Sequence, residues 1–112
     1  DIINYGGSKI SPAEVEDCAR GYAGITDCAY SAKPDPITGE VPVMLVIPGE
    51  GYAEKELMDY LSARLEAYKL PKQIYEVTVL PKTFKGTILR KEVRKMLEDL
   101  SKKGTEQESE EM

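Results

Sequence analysis

Apolar residues near the start of the chain recur with the period of a helix. Behind the segment Ser11-Pro12-Ala13-Glu14 they fall on one helical face, at Val15, Cys18, Ala19 and Tyr22. The segment places a serine at the N-cap, a proline at the first helical position and a glutamate at the third, which is the pattern of a capping box. The pattern predicts a helix that begins after Ser11 and is ended by Gly21 and Gly24.

The next stretch has the pattern of a hairpin. The segment Asp27–Lys33 is short and mostly apolar, and the segment Val41–Ile47 is rich in β-branched side chains. Between them, Pro34–Glu40 combines proline, aspartate and glycine, which is a strong turn signal. Two extended runs joined by such a turn predict a pair of hydrogen-bonded strands.

The second half of the chain predicts a helix, a strand and another helix. The first of these helices covers residues 54–67, with Pro71 stopping it. A third strand covers Gln73–Leu80, where the apolar alternation is imperfect. The last helix covers about Leu89 to Ser101, with its apolar residues on one side.

Together these elements predict an α+β domain over residues 1–101. We expect a small three-stranded, mainly antiparallel sheet with about three helices packed on it, plus a short N-terminal two-stranded piece that includes Ile2–Tyr5. Residues 102–112 are rich in lysine, glutamate and serine and have almost nothing to bury. They are predicted to form a disordered acidic tail.

Composition narrows the possible functions. The net charge of −5 argues weakly against binding to nucleic acid or to an anionic membrane. The chain has no histidine, which excludes a histidine-dependent hydrolytic triad and a zinc site with histidine ligands. Cys18 and Cys28 lack the spacing of a zinc or disulfide motif, and no stretch is long and apolar enough to span a membrane. We therefore expect a cytoplasmic protein with two small buried thiols.

Packing does not explain two segments of the sequence. In Asn4–Ile10, the paired glycines Gly6 and Gly7 either make a tight turn or let a ligand approach the backbone, and the local pattern favours the turn. In Pro81–Lys91, three lysines and an arginine surround Gly86 in a loop that opens a helix. This second segment is either an anion site or a solvated basic loop.

Four segments, taken in order, resemble the C-terminal (lid) domain of the adenylate-forming superfamily. They are Asp1–Glu16, Pro34-Asp35-Pro36 with Gly39-Glu40, Ala67–Pro71, and Pro81–Arg94. The last is similar to the closing motif P-[RK]-T-x-x-G-K-[IL]-x-R. The superfamily comprises acyl-CoA synthetases, adenylation domains of peptide synthetases and luciferases. The ending Ile88-Leu89-Arg90-Lys91 favours the acyl-CoA synthetase branch, which includes the fatty-acid–CoA ligases.

The resemblance implies one part of a two-step, AMP-forming acid–CoA ligase. A large N-terminal domain, outside this sequence, binds ATP with Mg²⁺ and a carboxylic acid, such as a fatty acid or another small organic acid, and makes an acyl-adenylate. The small domain then swings about a hinge so that coenzyme A can attack. By this resemblance Asp1 is the hinge residue, and Gly7, Ser8 and Lys9 line the pantetheine tunnel. The isolated domain is expected to hold no cofactor and to be inactive.

One position departs from the family pattern. Thr87 stands where the family carries its catalytic lysine, which stabilises negative charge as the carboxylate attacks the α-phosphate. A threonine hydroxyl can donate a hydrogen bond but carries no charge. Three explanations remain open: an engineered or incidental change, recruitment of a neighbour such as Lys85, or a natural homologue without normal adenylation.

Two other functions also remain open from the sequence. The chain could be a degenerate, non-catalytic lid that binds coenzyme A or a partner protein. It could also be the lid of a peptide-synthetase adenylation domain.

Overall fold

The computed structural model describes the backbone of residues 1–111 and the side chains of residues 1–100. A single turn of 3₁₀ helix covers Ala67–Lys69. The remaining elements, in chain order, are β1 (Ile3–Tyr5), β2 (Ser8–Ile10), α1 (Pro12–Ala19), β3 (Ile25–Asp35), β4 (Gly39–Pro48), α2 (Glu54–Ser62), β5 (Gln73–Glu76) and α3 (Arg90–Glu111).

The strands form one mixed sheet around the long β3–β4 hairpin. β3 and β4 pair antiparallel, with Asp35 opposite Gly39 at the turn and Asp27 opposite Ile47 at the far end. β5 lies parallel to β4, and the segment that contains α2 provides the crossover connection that parallel pairing needs. The β1–β2 hairpin joins the sheet where Tyr5 pairs with Gly39. The predicted α+β class, the mainly antiparallel sheet and the N-terminal two-stranded piece are confirmed.

The sheet buries both of its faces. One face packs against α1, α2 and the N-terminal hairpin, through the side chains Ile3, Ile10, Val15, Tyr30, Met44, Leu57 and Leu61. The other face packs against α3 and the segment before it, through Ala29, Val43, Leu45, Leu80, Ile88, Val93 and Leu97. The alternation along β3 and β4 separates these two sets, because successive strand residues point to opposite faces.

The capping box predicted at α1 is not formed. Within the described side chains, Ser11 occupies the N-cap position without a side-chain hydrogen bond to the helix, and Pro12 is the first helical residue. The Glu14 carboxylate instead lies 2.9 Å from the Lys69 ammonium group. The predicted box therefore located the start of the helix correctly but not the partner of its glutamate.

Two elements in the second half of the chain end earlier than the sequence predicts. α2 ends at Ser62, before a short turn of 3₁₀ helix, rather than at residue 67. β5 ends at Glu76 because the chain then turns away from β4, leaving Val79 exposed and burying Leu80 beside α3.

The third helix continues beyond the end that the sequence predicts. α3 reaches Glu111 instead of stopping near Ser101, since a helix satisfies its own backbone hydrogen bonds. Side chains from Ser101 onward lie outside the described residues. The division into a domain of residues 1–101 and an acidic tail of residues 102–112 stays a prediction.

None of the helices in the described part of the chain combines the length and the apolar character that crossing a membrane requires. Among the same residues, no group of three or more His, Cys, Asp or Glu side chains is placed to hold a metal ion.

Candidate functional site

The paired glycines form the tip of the β1–β2 hairpin. Gly6 has a φ of 55° and Gly7 a φ of 90°, between the paired residues Tyr5 and Ser8. A two-residue hairpin turn with positive φ at both central positions favours glycine strongly. Apart from the chain neighbours of each glycine, no heavy atom of the described residues lies within 4 Å of where a Cβ would stand. The glycines are therefore explained by backbone conformation, and the outer side of the turn is open.

A second turn stiffens the same end of the sheet. One carboxylate oxygen of Asp35 accepts hydrogen bonds from the Thr38 N–H at 2.7 Å, the Thr38 hydroxyl at 2.8 Å and the Ile37 N–H at 3.1 Å. The bonds from Thr38, followed by the bond from Ile37, lower the pKa of Asp35. The Thr38 carbonyl in turn accepts the Gly6 N–H at 2.9 Å. The two turns are thus tied together.

The predicted hinge residue lies at this end as well. The Asp1 carboxylate is 3.9 Å from the Arg94 guanidinium of α3. Arg94 makes a closer ion pair with Glu40 at 3.1 Å, and Glu40 also accepts the Asn4 N–H at 3.0 Å. Asp1 therefore lies beside a polar cluster that joins α3 to the start of β4.

The basic segment forms a second, smaller hairpin before α3. Lys82 and Ile88 form an antiparallel bridge, and the Thr83 N–H donates to the Thr87 carbonyl at 2.8 Å. The Thr87 N–H returns a bond to the Thr83 hydroxyl at 3.1 Å. Gly86 has a φ of 92°, and its N–H donates to the Thr83 carbonyl at 2.9 Å. We call residues 81–89 the active-site loop, after the role that the family resemblance predicts for this segment.

The tip of the active-site loop is fully open to solvent. Phe84, Lys85 and Thr87 are all exposed, whereas Ile88 at the base is buried. Lys85 takes part in none of the ion pairs formed among the side chains of residues 1–100. The loop therefore presents one charged ammonium group and one hydroxyl, on either side of Gly86.

An ion-pair cluster holds the entry to the active-site loop. Lys82 pairs with Asp27 on β3, and the Arg20 side chain lies 3.5 Å from the same carboxylate. Burial acts to raise the pKa of Asp27, but the hydrogen bonds from Lys82 and from the Cys28 N–H, with the charges of Lys82 and Arg20, outweigh it. The net effect lowers the pKa of Asp27.

The structure separates the predicted site residues into two groups. Asp1, Gly7, Ser8 and Lys9 lie at the turn end of the β3–β4 hairpin, near Asp35. Lys85 and Thr87 belong to the loop that is anchored at Asp27. Asp27 and Asp35 are eight residues apart on one strand, which is about 26 Å at about 3.3 Å per residue. The two groups therefore lie at different ends of the domain.

A family model described as the AMP-binding enzyme C-terminal domain matches residues 14–87, which is well over half of the chain. The chain belongs to this family. Feruloyl-CoA synthase from Amycolatopsis sp is 43% identical over 97 residues, covering 85% of this chain and 20% of that protein. The 2-succinylbenzoate–CoA ligase of Listeria monocytogenes serotype 4b is 39% identical over 94 residues, covering 84% of this chain and 20% of that protein.

Solved structures agree with this assignment. The fatty acyl CoA synthetase of Mycobacterium tuberculosis matches with a TM-score of 0.79 and 31% identity, over 86% of this chain and 19% of that one. The Brucella canis acyl-CoA synthetase matches with a TM-score of 0.80 and 30% identity, over 90% and 20%. The C-terminal domain thus spans about one fifth of the length of the relatives it matches.

Sequence reasoning missed one feature of this C-terminal domain, a buried glutamate. Glu16 is 2% exposed and pairs with Arg90 at 2.6 Å. The hydrogen bond to Glu16 raises the pKa of Arg90, with burial opposing it and the negative charge of Glu16 adding to it. The spacing of the sequence could have indicated this, because Glu16 lies on the same helical face as the buried residues Pro12, Val15 and Ala19.

The lowered pKa of Asp27 makes a prediction about pH. Its carboxylate should contribute to the stability of the domain above its unfolded pKa of about 4, and the contribution should fade as the pH falls through the lower folded pKa. We expect Asp27→Asn to lower the free energy of unfolding by about 1 kcal/mol at pH 7. Urea denaturation at several pH values should show this difference shrinking below about pH 4. A difference that stays constant from pH 7 to pH 3 would contradict the ion-pair assignment.

Proposed function

We propose that the chain is the mobile C-terminal domain of an AMP-forming acyl-CoA synthetase. The whole enzyme would convert a carboxylic acid, ATP and coenzyme A into acyl-CoA, AMP and pyrophosphate. The family assignment supports this proposal, as do relatives whose names are those of CoA synthetases and CoA ligases. These names favour the CoA-forming branch over the peptide-synthetase alternative. A cytoplasmic location belongs to the same proposal.

The observation that carries the proposal is the placement of the two motif segments. The active-site loop is attached at Asp27 and the Gly6–Gly7 turn lies near Asp35, and these two positions on β3 are about 26 Å apart at about 3.3 Å per residue. One bound substrate group cannot contact the active-site loop and the Gly6–Gly7 turn at the same time. This separation supports a domain that serves two successive half-reactions by rotating about a hinge. Asp1, at the turn end, is the proposed hinge.

The active-site loop would serve adenylate formation. Lys85 is exposed and flanks Gly86 together with Thr87, so its ammonium group fits a phosphate oxygen by charge. We propose that Lys85 substitutes only in part for the missing family lysine, because it lies on the other side of Gly86, with the Thr87 hydroxyl as an uncharged donor. ATP with Mg²⁺ would be held mainly by the rest of the enzyme.

The N-terminal hairpin would serve thioester formation. The outer side of Gly7 is open, and the absence of a side chain there leaves room for a thin pantetheine arm to pass close to the backbone. Ser8 and Lys9 follow the glycine and supply a hydroxyl and a positive charge beside the same path. Coenzyme A would contact this turn only when the hinge has brought it against the rest of the enzyme.

One observation favours a second candidate, a non-catalytic lid. Thr87 cannot supply the positive charge that the family uses for adenylation. A degenerate lid would bind coenzyme A or a partner protein without turnover. Pyrophosphate exchange by the full-length parent would distinguish the two, because a degenerate lid gives none while coenzyme A binding persists.

The proposal can be tested by comparing this chain with its full-length parent. Each would be incubated with ATP, Mg²⁺, coenzyme A and one of four acids taken from the names of relatives: ferulate, 4-coumarate, 2-succinylbenzoate and a fatty acid. We expect AMP and a coenzyme A thioester from the parent with at least one acid, and neither product from this chain alone. Turnover by the isolated chain, or none by the parent with a broad acid panel, would contradict the proposal.

A further inference from the structure

Glu16 carries a charge at a position where water cannot reach it. Its carboxylate accepts hydrogen bonds from both terminal nitrogens of Arg90, at 2.6 and 2.8 Å, and from the Tyr30 backbone N–H at 2.7 Å. Arg90 also donates to the Tyr30 carbonyl at 3.3 Å. The pair therefore fixes the first residue of α3 to α1 and to β3 at the same time.

A buried ion pair of this kind contributes little net stability. The cost of burying the Glu16 carboxylate, while Arg90 stays 29% exposed, cancels most of their attraction, and apolar side chains of the same volume often do as well. The main contribution of a bidentate guanidinium–carboxylate pair is geometric, since its two parallel hydrogen bonds fix the relative orientation of the two groups. The apolar contacts of Leu80 and Ile88 beneath the active-site loop are not directional in this sense.

The location of Arg90 connects the pair to the active-site loop. Arg90 follows Thr87 by three residues. Between them, the Leu89 N–H donates to the Pro81 carbonyl at 3.0 Å and closes the base of the loop. The Lys82–Asp27 ion pair holds the entry side. The active-site loop is thus fixed at both ends and held together by its own hydrogen bonds. Its orientation relative to the sheet is therefore set by these two attachments.

We propose that Glu16 is a positioning residue for adenylate formation. Through Arg90 it sets the direction in which the active-site loop presents Lys85 and Thr87 to the phosphate of ATP. This inference rests on the proposed function and adds to it a residue that does not touch the substrate. Reacting groups tolerate little error, because a misplacement of about 1 Å can cost about 10²-fold in rate.

The test uses Glu16→Gln in the full-length parent, since glutamine keeps the size of the side chain and an acceptor for the Tyr30 N–H. Arg90→Lys is the second variant, because it keeps the charge and loses the bidentate geometry. Asp59→Asn is the matched control, since it breaks the exposed Lys55–Asp59 pair of α2. Hydrogen exchange is followed in peptides covering residues 80–90 and in peptides from β3 and β4.

Both variants should make exchange in residues 80–90 about tenfold faster while β3 and β4 stay unchanged. In ATP–pyrophosphate exchange, followed in the wild-type and Thr87→Lys backgrounds, kcat should fall about 10- to 100-fold with an unchanged KM for ATP. Thioester formation from supplied acyl-adenylate should stay the same. The Asp59→Asn control should change none of these quantities.

Two results would overturn the inference: unchanged exchange in residues 80–90, or an equal loss in both half-reactions with faster exchange throughout the domain. The second result would mark the pair as merely structural. A parent that gives no pyrophosphate exchange in either background would contradict the proposed function and, with it, a role for Glu16 in adenylation. Peptide exchange would still report whether Glu16 orders the loop, so the two failures are distinguishable.

Discussion

Thr87→Lys in the full-length parent should raise the rate of acyl-adenylate formation by about 10²–10³-fold. The loop backbone already presents this position to solvent, and its cross-bonds use only the backbone atoms of Thr87. A lysine there could extend toward the phosphate without changing the hairpin. It would add a positive charge where negative charge develops, which a hydroxyl cannot do. ATP–pyrophosphate exchange with the acid panel measures the gain.

Thr87→Met is the matched control for this substitution, because methionine has similar length and no charge. It should give no increase in rate. Lys85→Met in the wild-type background provides the complementary measurement. If Lys85 supplies the charge in the natural protein, this variant should lose about 10²–10³-fold of any adenylation activity. An unchanged rate with lysine at position 87 would show either that Lys85 already supplies the charge or that position 87 has a different role.

Arg90→Met should destabilise the isolated domain by about 3–5 kcal/mol, because it leaves the Glu16 charge buried without its cation. A loss of this size is a large fraction of the total stability of a domain, which is about 5–15 kcal/mol. Urea denaturation followed by circular dichroism at pH 7 measures the change. Part of the loss should be recovered in the double variant Glu16→Leu/Arg90→Met, where no charge is buried.

Lys91→Met is the control for Arg90→Met, since Lys91 is the exposed neighbour on α3. It should change the free energy of unfolding by no more than about 0.5 kcal/mol. If Arg90→Met costs less than about 1 kcal/mol, the Glu16 carboxylate must reach water or another donor in the variant. The ion pair would then not hold the start of α3 in the way described.

Local patterns predicted most of the fold, and non-local pairing explains the rest. The β3–β4 hairpin was predictable because two apolar runs flank a turn that Asp35 organises through bonds to its own neighbours. The parallel pairing of β5 with β4 was not, because it joins segments that α2 separates. Leu80 resembled part of a strand in sequence, but its apolar partners lie on α3.

The two candidate segments were predictable for a different reason. Paired glycines and a basic glycine-containing loop are unusual sequences, and family spacing identified Thr87 as a departure from the pattern. Their separation to opposite ends of the sheet depends on topology, which short motifs do not encode. The role of Glu16 was also hidden, because its partner Arg90 is 74 residues away in the sequence.

The most direct test of the central claim is to remove this domain from its parent. Formation of the coenzyme A thioester would be measured for the full-length parent and for a parent ending immediately before Asp1, with the same acids, ATP and coenzyme A. If the chain is the mobile domain of an AMP-forming CoA ligase, the full-length protein forms the thioester and the shortened one loses it. Equal thioester formation by both proteins would contradict the account.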